Sequence, residues 1–324
     1  MFQPENVSVP MLGRPEREHI WGIPFTGAEP KYTNTAGQIW FVDPVNGNDD
    51  ADGETPDKAF ETLQAAVDND RLDDYDVIYV LGALTESVVT PAYTDVASYV
   101  SIIGVGNGRY SPSWASAAAT DPCLDLRCVG WRVSGFRFLG PTTDFCIELR
   151  HTDTGANDIA IRTVIEGNYF DGLSVGLGAI ETHGAYDVWI KNNTFSLFNN
   201  GANTAACIVT GTTPLAIPYR NHVCGNMFYD NDNAVDMAAN GSFFYDNLFQ
   251  KVGYTYSSIV VLRTSQGANP GDDNVVTRNH FGGDYSNTGG YTAGAADDWV
   301  GNIAEDVAEA EVSDAGLTIA RPAA

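Results

Sequence analysis

Asn168-Tyr169-Phe170, Asn193-Thr194-Phe195, Asn226-Met227-Phe228, Asn247-Leu248-Phe249 and Asn279-His280-Phe281 are five copies of one phrase, and Asn302-Ile303-Ala304 is a worn sixth. Their asparagines stand 25, 33, 21, 32 and 23 residues apart. A phrase that returns every 20 to 35 residues or so, with variable length between copies, marks a solenoid whose insertions sit at fixed corners.

The residue types say which solenoid. Asparagine enters the left-handed αL region more readily than other side-chain-bearing residues, so it is read as the bend residue of each coil. Phenylalanine two residues on falls at the next inward position of a period-2 strand. Stacked coils then place Asn over Asn and Phe over Phe, with amides bonding along the stack and rings filling the core. The expected class is all-β, a right-handed parallel β-helix. Over residues 38–303 the phrase resembles the asparagine ladders of the pectin-lyase-like β-helix proteins, which include virion and tailspike proteins.

Working outward, Ile39-Trp40-Phe41-Val42 reads as a strand, and the turn-rich loop at 43–53 follows it. Phe60, Leu63, Ala66 and Val67 have helical spacing, with Thr62 as cap. This short helix is expected to close the first open rung, whose strand edge is otherwise unpaired. Val77-Ile78-Tyr79-Val80-Leu81, 99–104, 124–129, 131–138, Cys146-Ile147-Glu148-Leu149 and 159–161 read as further strands. Counting strands gives about eight to ten rungs, a column roughly 40 to 50 Å long. The resulting division is an extended arm at 1–37, the strand, acidic loop and capping helix at 38–70, the β-helix at 71–303, and a C-terminal cap and tail at 304–324. In the tail, 306–311 reads as a helical turn and 316–319 as a last strand. The arm holds five prolines, yet also Phe2, Met11, Leu12, Ile20, Trp21, Ile23 and Phe25, which fits an extended segment with buried anchors.

The chain of 324 residues carries 17 basic and 42 acidic residues, a net charge of −25. That argues against nucleic acid and anionic membranes as partners. It also makes a polyanionic glycan a poor ligand unless the few arginines cluster. No apolar run reaches membrane-spanning length, and the first residues lack the pattern of a signal peptide. Cys123, Cys128, Cys146, Cys207 and Cys224 include no CxxC pair and read as small core residues.

Candidate sites are few. Asn48-x-Asp50-x-Asp52-Gly53 matches the start of a calcium loop, but the twelfth position is Ala59, so only a loose oxygen-ligand calcium site is expected at Asn48, Asp50 and Asp52. No other cofactor is expected. Gly104-x-Gly106-x-Gly108 lacks a following helix and reads as a turn. Trp189, Tyr229, Tyr245 and Tyr256 are the candidate exposed stripe for a glycan or a subunit interface. Asp171, Glu181, Asp187, Asp230, Asp236 and Asp246, with Arg150, Arg162, Arg220 or Arg263, supply carboxylates and bases for a lyase or hydrolase, but form no compact signature. His280 reads as an outward residue, and no residue is assigned a catalytic role. The resemblance therefore implies a non-enzymatic virion protein: a capsid-surface, fibre or tailspike-type component of a microbial virus. It would attach to other virion proteins through residues 1–37, assemble as a homotrimer and bind a host polysaccharide. The alternative is an extracellular polysaccharide lyase or glycoside hydrolase.

Overall fold

In the computed structural model, the described residues are 19–20, 23–24, 37–92, 97–106, 111–151, 158–199, 205–210, 218–251, 262–263, 271–283, 291–293, 296–304, 311–312 and 318–319. Three sheets form the faces of one column. A ten-stranded sheet runs from Ile39–Val42 to Asp298–Val300, an eleven-stranded sheet from Leu84–Thr85 to Thr318–Ile319, and an eight-stranded sheet from Val88–Val89 to Tyr291–Thr292. Each turn of chain visits them in that order: Val164–Glu166, Tyr169–Asp171 and Gly178–His183, then Trp189–Lys191, Thr194–Ser196 and Ala206–Thr210. Within these three sheets neighbouring strands are parallel except at the C-terminal end, where Asn302–Ala304, Glu311–Val312 and Thr318–Ile319 pair antiparallel. This is a parallel β-helix, and its crossovers are right-handed, as those between parallel strands of one sheet are.

The repeated phrase lies where the ten-stranded sheet turns into the eleven-stranded one. Phe138, Phe170, Phe195, Phe228, Phe249 and Phe281 occupy one register position on successive rungs. All six are fully buried, and their rings stack with centroids 4.7–4.9 Å apart. That spacing equals the distance between parallel strands, so the backbone ladder sets the ring stack.

The asparagines do a different job from the one their conformational preference suggests. Asn168, Asn193, Asn226, Asn247, Asn279 and Asn302 are buried, and none is among the residues with positive φ. The bend is made by the residue just before each: Gly167, Asn192, Gly225, Asp246, Arg278 and Gly301, with φ between 55° and 67°. The buried asparagine satisfies the polar groups that the bend leaves inside. The Asn193 backbone N–H and side-chain amide both donate to Asn226 Oδ1, at 2.9 and 3.2 Å, and the amide also donates to the Ile165 carbonyl at 2.8 Å. The same three bonds recur for Asn168, Asn226, Asn247 and Asn279. Asn302 closes the ladder and is a full member of it, accepting from Asn279 and donating to the Val276 carbonyl.

A second ladder stands where the eight-stranded sheet turns into the ten-stranded one. The backbone N–H groups of Val188, Asn221, Ser242 and Asn274 donate in turn to the side chains of Asn221, Ser242, Asn274 and Asp297. Again the residue before each side chain of the ladder has positive φ: Arg220, Gly241, Asp273 and Ala296.

Other expectations shift by a few residues. The 131–138 stretch is two strands, Arg132–Ser134 and Arg137–Leu139, split by Gly135 at φ +80°. A side chain at Gly135 would place its Cβ 2.4 Å from the Gly104 carbonyl oxygen. Ile159 makes only an isolated bridge to His151. The helix is shorter than its spacing implies, Leu63–Val67, because Phe60 instead bridges to Val42. Thr62 caps it by accepting from the Ala65 N–H, and Leu63, Ala66 and Val67 join Trp40 and Val42 in the core. All five cysteines are buried. In the tail, Thr318–Ile319 is a strand, Glu311 lies in a strand rather than a helical turn, and 306–310 fall outside the described residues. No described helix is long and apolar enough to cross a membrane.

Phe228 is sandwiched between Phe195 and Phe249 at 4.8 and 4.7 Å. Phe228→Ala is expected to lower the unfolding free energy by about 3 to 5 kcal/mol in denaturant melts. A loss below about 1 kcal/mol would break the stacking account.

Candidate active site

The residue that faces outward at mid-strand on the eight-stranded sheet forms its own ladder. In register it reads Val89, Asp125, Glu148, Glu181, Val209 and Asp236. Three successive rungs therefore present carboxylates side by side, each flanked by inward residues: Leu124 and Leu126, Ile147 and Leu149, Ile180 and Thr182. The pitch of the coil brings these acids within about 5 Å of their neighbours.

Cations and a proton relieve the crowding. Arg127 pairs with Asp125, and Arg150 bridges Asp125, at 2.9 Å, and Glu148. His183, beside Arg150 in register, lies 3.0 Å from Glu181. The carboxylates are recessed, with side chains 5–10% exposed, while Arg127 and Arg150 stand out at 32% and 35%. Burial pushes the Glu148 carboxyl up to about 7; Asp144 and Glu181 add to this against the opposing charges of Arg150 and His183. Burial raises Asp144 too, with Glu181 contributing. For His183 burial works against the charged form, but its bond to Glu181 and the charges of Glu181 and Glu148 outweigh that and hold the imidazole above its usual value. Glu148 thus gains or loses its proton near neutrality, next to Glu181 hydrogen-bonded to His183. Acceptor atoms of Glu148, Glu181 and His183 all lie within 4.8 Å of one another. They are the one group of metal-holding geometry among the described residues, but Arg150 already occupies Glu148.

Of the residues singled out from sequence, the fold brings Glu181 and Arg150 together. Asp171 pairs with Arg137, Asp187 with Arg220 and Asp246 with Arg278, all at other places on the surface. Arg162 bonds the Tyr99 hydroxyl, and Asp230 sits at a bend with φ +58°. Asp236 lies two rungs beyond Glu181, and Arg263 follows it in register. Asp125, Glu148 and His183 were not singled out as a constellation. Their signal was an acid set between an Ile or Leu and a second inward residue, Leu or Thr, which recurs with acids 23 and 33 residues apart (125, 148 and 181).

The other expected sites are dispersed. Asn48 Oδ1 accepts from the Asp50 N–H, while Asp52 accepts from the Glu54 N–H and pairs with Lys58 at 3.0 Å. Local bonds thus engage the side chains of Asn48 and Asp52. Trp189 is 36% exposed but its face is covered by His222, stacked at 3.9 Å, with Phe243 following at 4.9 Å. Tyr245 is half-buried beneath Arg278. Tyr229 is outward and exposed on the eleven-stranded sheet, around the asparagine corner from Trp189. Tyr256 lies outside the described residues. His280 is outward and half-buried.

No protein-family model and no curated protein matches the sequence. Three of the solved structures to which this chain is similar cover most of its length. They are the GH136 lacto-N-biosidase from Eubacterium ramulus (TM-score 0.45, 10% identity, 82% of this chain and 58% of that one), the Streptococcus pneumoniae surface adhesin PfbA (0.41, 14%, 71% and 58%), and a mutant tailspike protein of E. coli bacteriophage HK620 in complex with pentasaccharide (0.43, 13%, 72% and 41%). The chain spans less than two thirds of the length of each.

The raised Glu148 carboxyl has a consequence for stability. The folded chain holds this proton more tightly than the unfolded chain, whose ordinary value is 4.5. Its contribution favours the fold at low pH and is lost as pH rises from about 4.5 through about 7. Glu148→Gln keeps a neutral side chain and removes that loss. Relative to the parent, the variant should gain roughly 1 to 3 kcal/mol between about pH 5 and pH 8 in denaturant titrations. An unchanged difference at the two pH values would show that Glu148 titrates normally.

Proposed function

We propose that the protein hydrolyses a glycosidic bond on the outer face of its eight-stranded sheet, with Glu148 as the acid and Glu181 as the second carboxylate. The observation that carries this reading is a pair of adjacent carboxyl groups on rigid neighbouring strands, of which burial holds Glu148 toward its protonated form. Glycoside hydrolysis needs such a pair, and a close separation of roughly 5 Å favours the retaining route. Glu148 gives its proton to the glycosidic oxygen as the bond to the anomeric carbon breaks. Glu181 attacks that carbon and forms a glycosyl ester. Water then attacks the same carbon, releasing Glu181, while Glu148, now a carboxylate, takes the water's proton. Arg150, tied to both Asp125 and Glu148, positions the acid.

This reading adds chemistry to the non-enzymatic role expected from sequence. Its test is product release from a panel of neutral and sparsely charged oligosaccharides, with the product anomer followed by NMR. Glu148→Gln should lower turnover by about a hundredfold or more, and parent activity should fall above about pH 7 as the Glu148 proton is lost. Turnover unchanged in Glu148→Gln, or binding of a glycan without cleavage, would remove the catalytic assignment.

We also propose that the column is displayed from a virion as a homotrimer, held by residues 1–37. Among the described residues of that arm, His19–Ile20 and Ile23–Pro24 pair only with each other, apart from the three column sheets. The first rung already has its own covering helix, Leu63–Val67. Like-charged chains at −25 each repel, so assembly should tighten with added salt and be lost when residues 1–37 are removed. A full-length chain that sediments as a monomer at both low and high salt would end this reading.

A further inference from the structure

The third corner of the coil, where the eleven-stranded sheet turns into the eight-stranded one, buries a lysine against an aspartate. The corner begins like the other two. Leu197 and Asp230 take the left-handed conformation, at φ 61° and 58°. Asn231, the residue after the second bend, is buried; it accepts from the Phe198 backbone N–H and donates to the Phe195 carbonyl, both at 3.0 Å. On the next rung the pattern changes. Lys251 ends the Leu248–Lys251 strand, one residue past Gln250, which pairs with Tyr229. Lys251 Nζ donates to the Asn231 carbonyl at 2.7 Å and lies 3.7 Å from Asp232 Oδ1. The two side chains are 1% and 0% exposed.

A lysine buried this deeply is rare, and desolvation of both charges offsets much of their attraction. Burial holds the Lys251 amine below its usual value, against the charges of Asp232 and Asp230. Passing the ammonium proton to the carboxylate leaves a neutral amine beside a neutral carboxylic acid, the forms that apolar surroundings favour. A desolvated neutral amine is a nucleophile. The Asn231 carbonyl holds that amine in place, and the flexible four-carbon stem of lysine can close the remaining gap to the near-attack separation of about 3 to 3.5 Å. Burial also holds the Cys207 thiol well above its usual value, so it stays protonated and does not compete for the carboxyl group.

We propose that Lys251 and Asp232 modify themselves, joining two adjacent rungs through an intramolecular isopeptide bond. Lys251 Nζ bonds to Asp232 Cγ, and the bond from Cγ to one carboxyl oxygen breaks. That oxygen leaves as water, carrying the proton it took from the ammonium and one more from the amine; the new amide nitrogen keeps one hydrogen. Nothing is oxidised or reduced, and no co-reactant enters the balance. The product replaces two buried charges by one neutral amide. Where the asparagine corners tie rung to rung by hydrogen bonds, this corner ties them covalently, which also restricts the unfolded chain. The pair shares no residue with the carboxylate ladder, so the proposal is independent of the hydrolytic reading.

The test is the intact mass of the purified full chain in denaturant, followed by proteolytic mapping. The mass should fall short of the sequence mass by one water. Digestion should release a branched peptide that joins the segments holding Asp232 and Lys251. Lys251→Met and Asp232→Ala chains should each show the full mass of their own sequences and yield no branched peptide. A folded parent chain at its full sequence mass would overturn the proposal. So would a water loss that persists in Lys251→Met, or one that maps to a succinimide at an aspartate–glycine step such as Asp52-Gly53.

Discussion

A coil that turns a tight corner drives backbone amides into a place where water cannot reach them, and every rung must satisfy those groups anew. An unpaired buried N–H costs about 1 to 3 kcal/mol. Six unsupported corners would then cost roughly 6 to 18 kcal/mol, comparable to the whole stability of a domain. This chain meets the demand with a two-residue unit: one residue in the left-handed region, then a buried polar side chain that reaches the next rung. Asn193 after Asn192 and Asn274 after Asp273 are the same device at two different corners. Each amide accepts from the rung before and donates to its own surroundings, so the ladder fixes the register of every strand that follows.

Fixed register has an electrostatic consequence. The alignment that stacks Phe195 on Phe228 also stacks Glu148 between Asp125 and Glu181. Two full charges about 4.8 Å apart repel by roughly 3 kcal/mol at an effective dielectric of 20. Strands in a continuous sheet cannot move apart to relieve this. Relief comes instead from Arg127, Arg150 and His183, and from a proton retained on Glu148. Burial does most to keep that proton on Glu148, and the acids that the coil's pitch brings beside it add to the effect.

This difference explains what the sequence disclosed. The Asn-x-Phe phrase was legible because one corner uses a single residue type on six rungs, and because the stacked rings leave little freedom in the third position. The second ladder escaped notice because Asn221, Ser242, Asn274 and Asp297 do the same work with three residue types. Asparagine's backbone preference misled the reading of the bend: Gly167, Asp246 and Arg278 take the strained conformation, while Asn168, Asn247 and Asn279 supply side-chain bonds. At the candidate site, Glu181 and Arg150 could be proposed singly. Their meeting depends on which loops are long, since 23 residues separate Asp125 from Glu148 but 33 separate Glu148 from Glu181. Only strand pairing converts those unequal intervals into adjacent carboxylates.

The distribution of cations carries the same logic to the rest of the surface. With 17 basic residues against 42 acidic ones, most carboxylates go without an ionic partner, so a site with more than its share of cations is informative. Two such places stand out among the described residues: the Arg127 and Arg150 pair around Asp125 and Glu148, and the Arg132 and Lys191 pair around Glu166. The first sits against several acids and lowers their repulsion. The second holds both oxygens of a single carboxylate. The Val164–Glu166 and Gly178–His183 strands belong to one turn of the coil, so Glu166 and Glu181 are carried on neighbouring faces of the same rung.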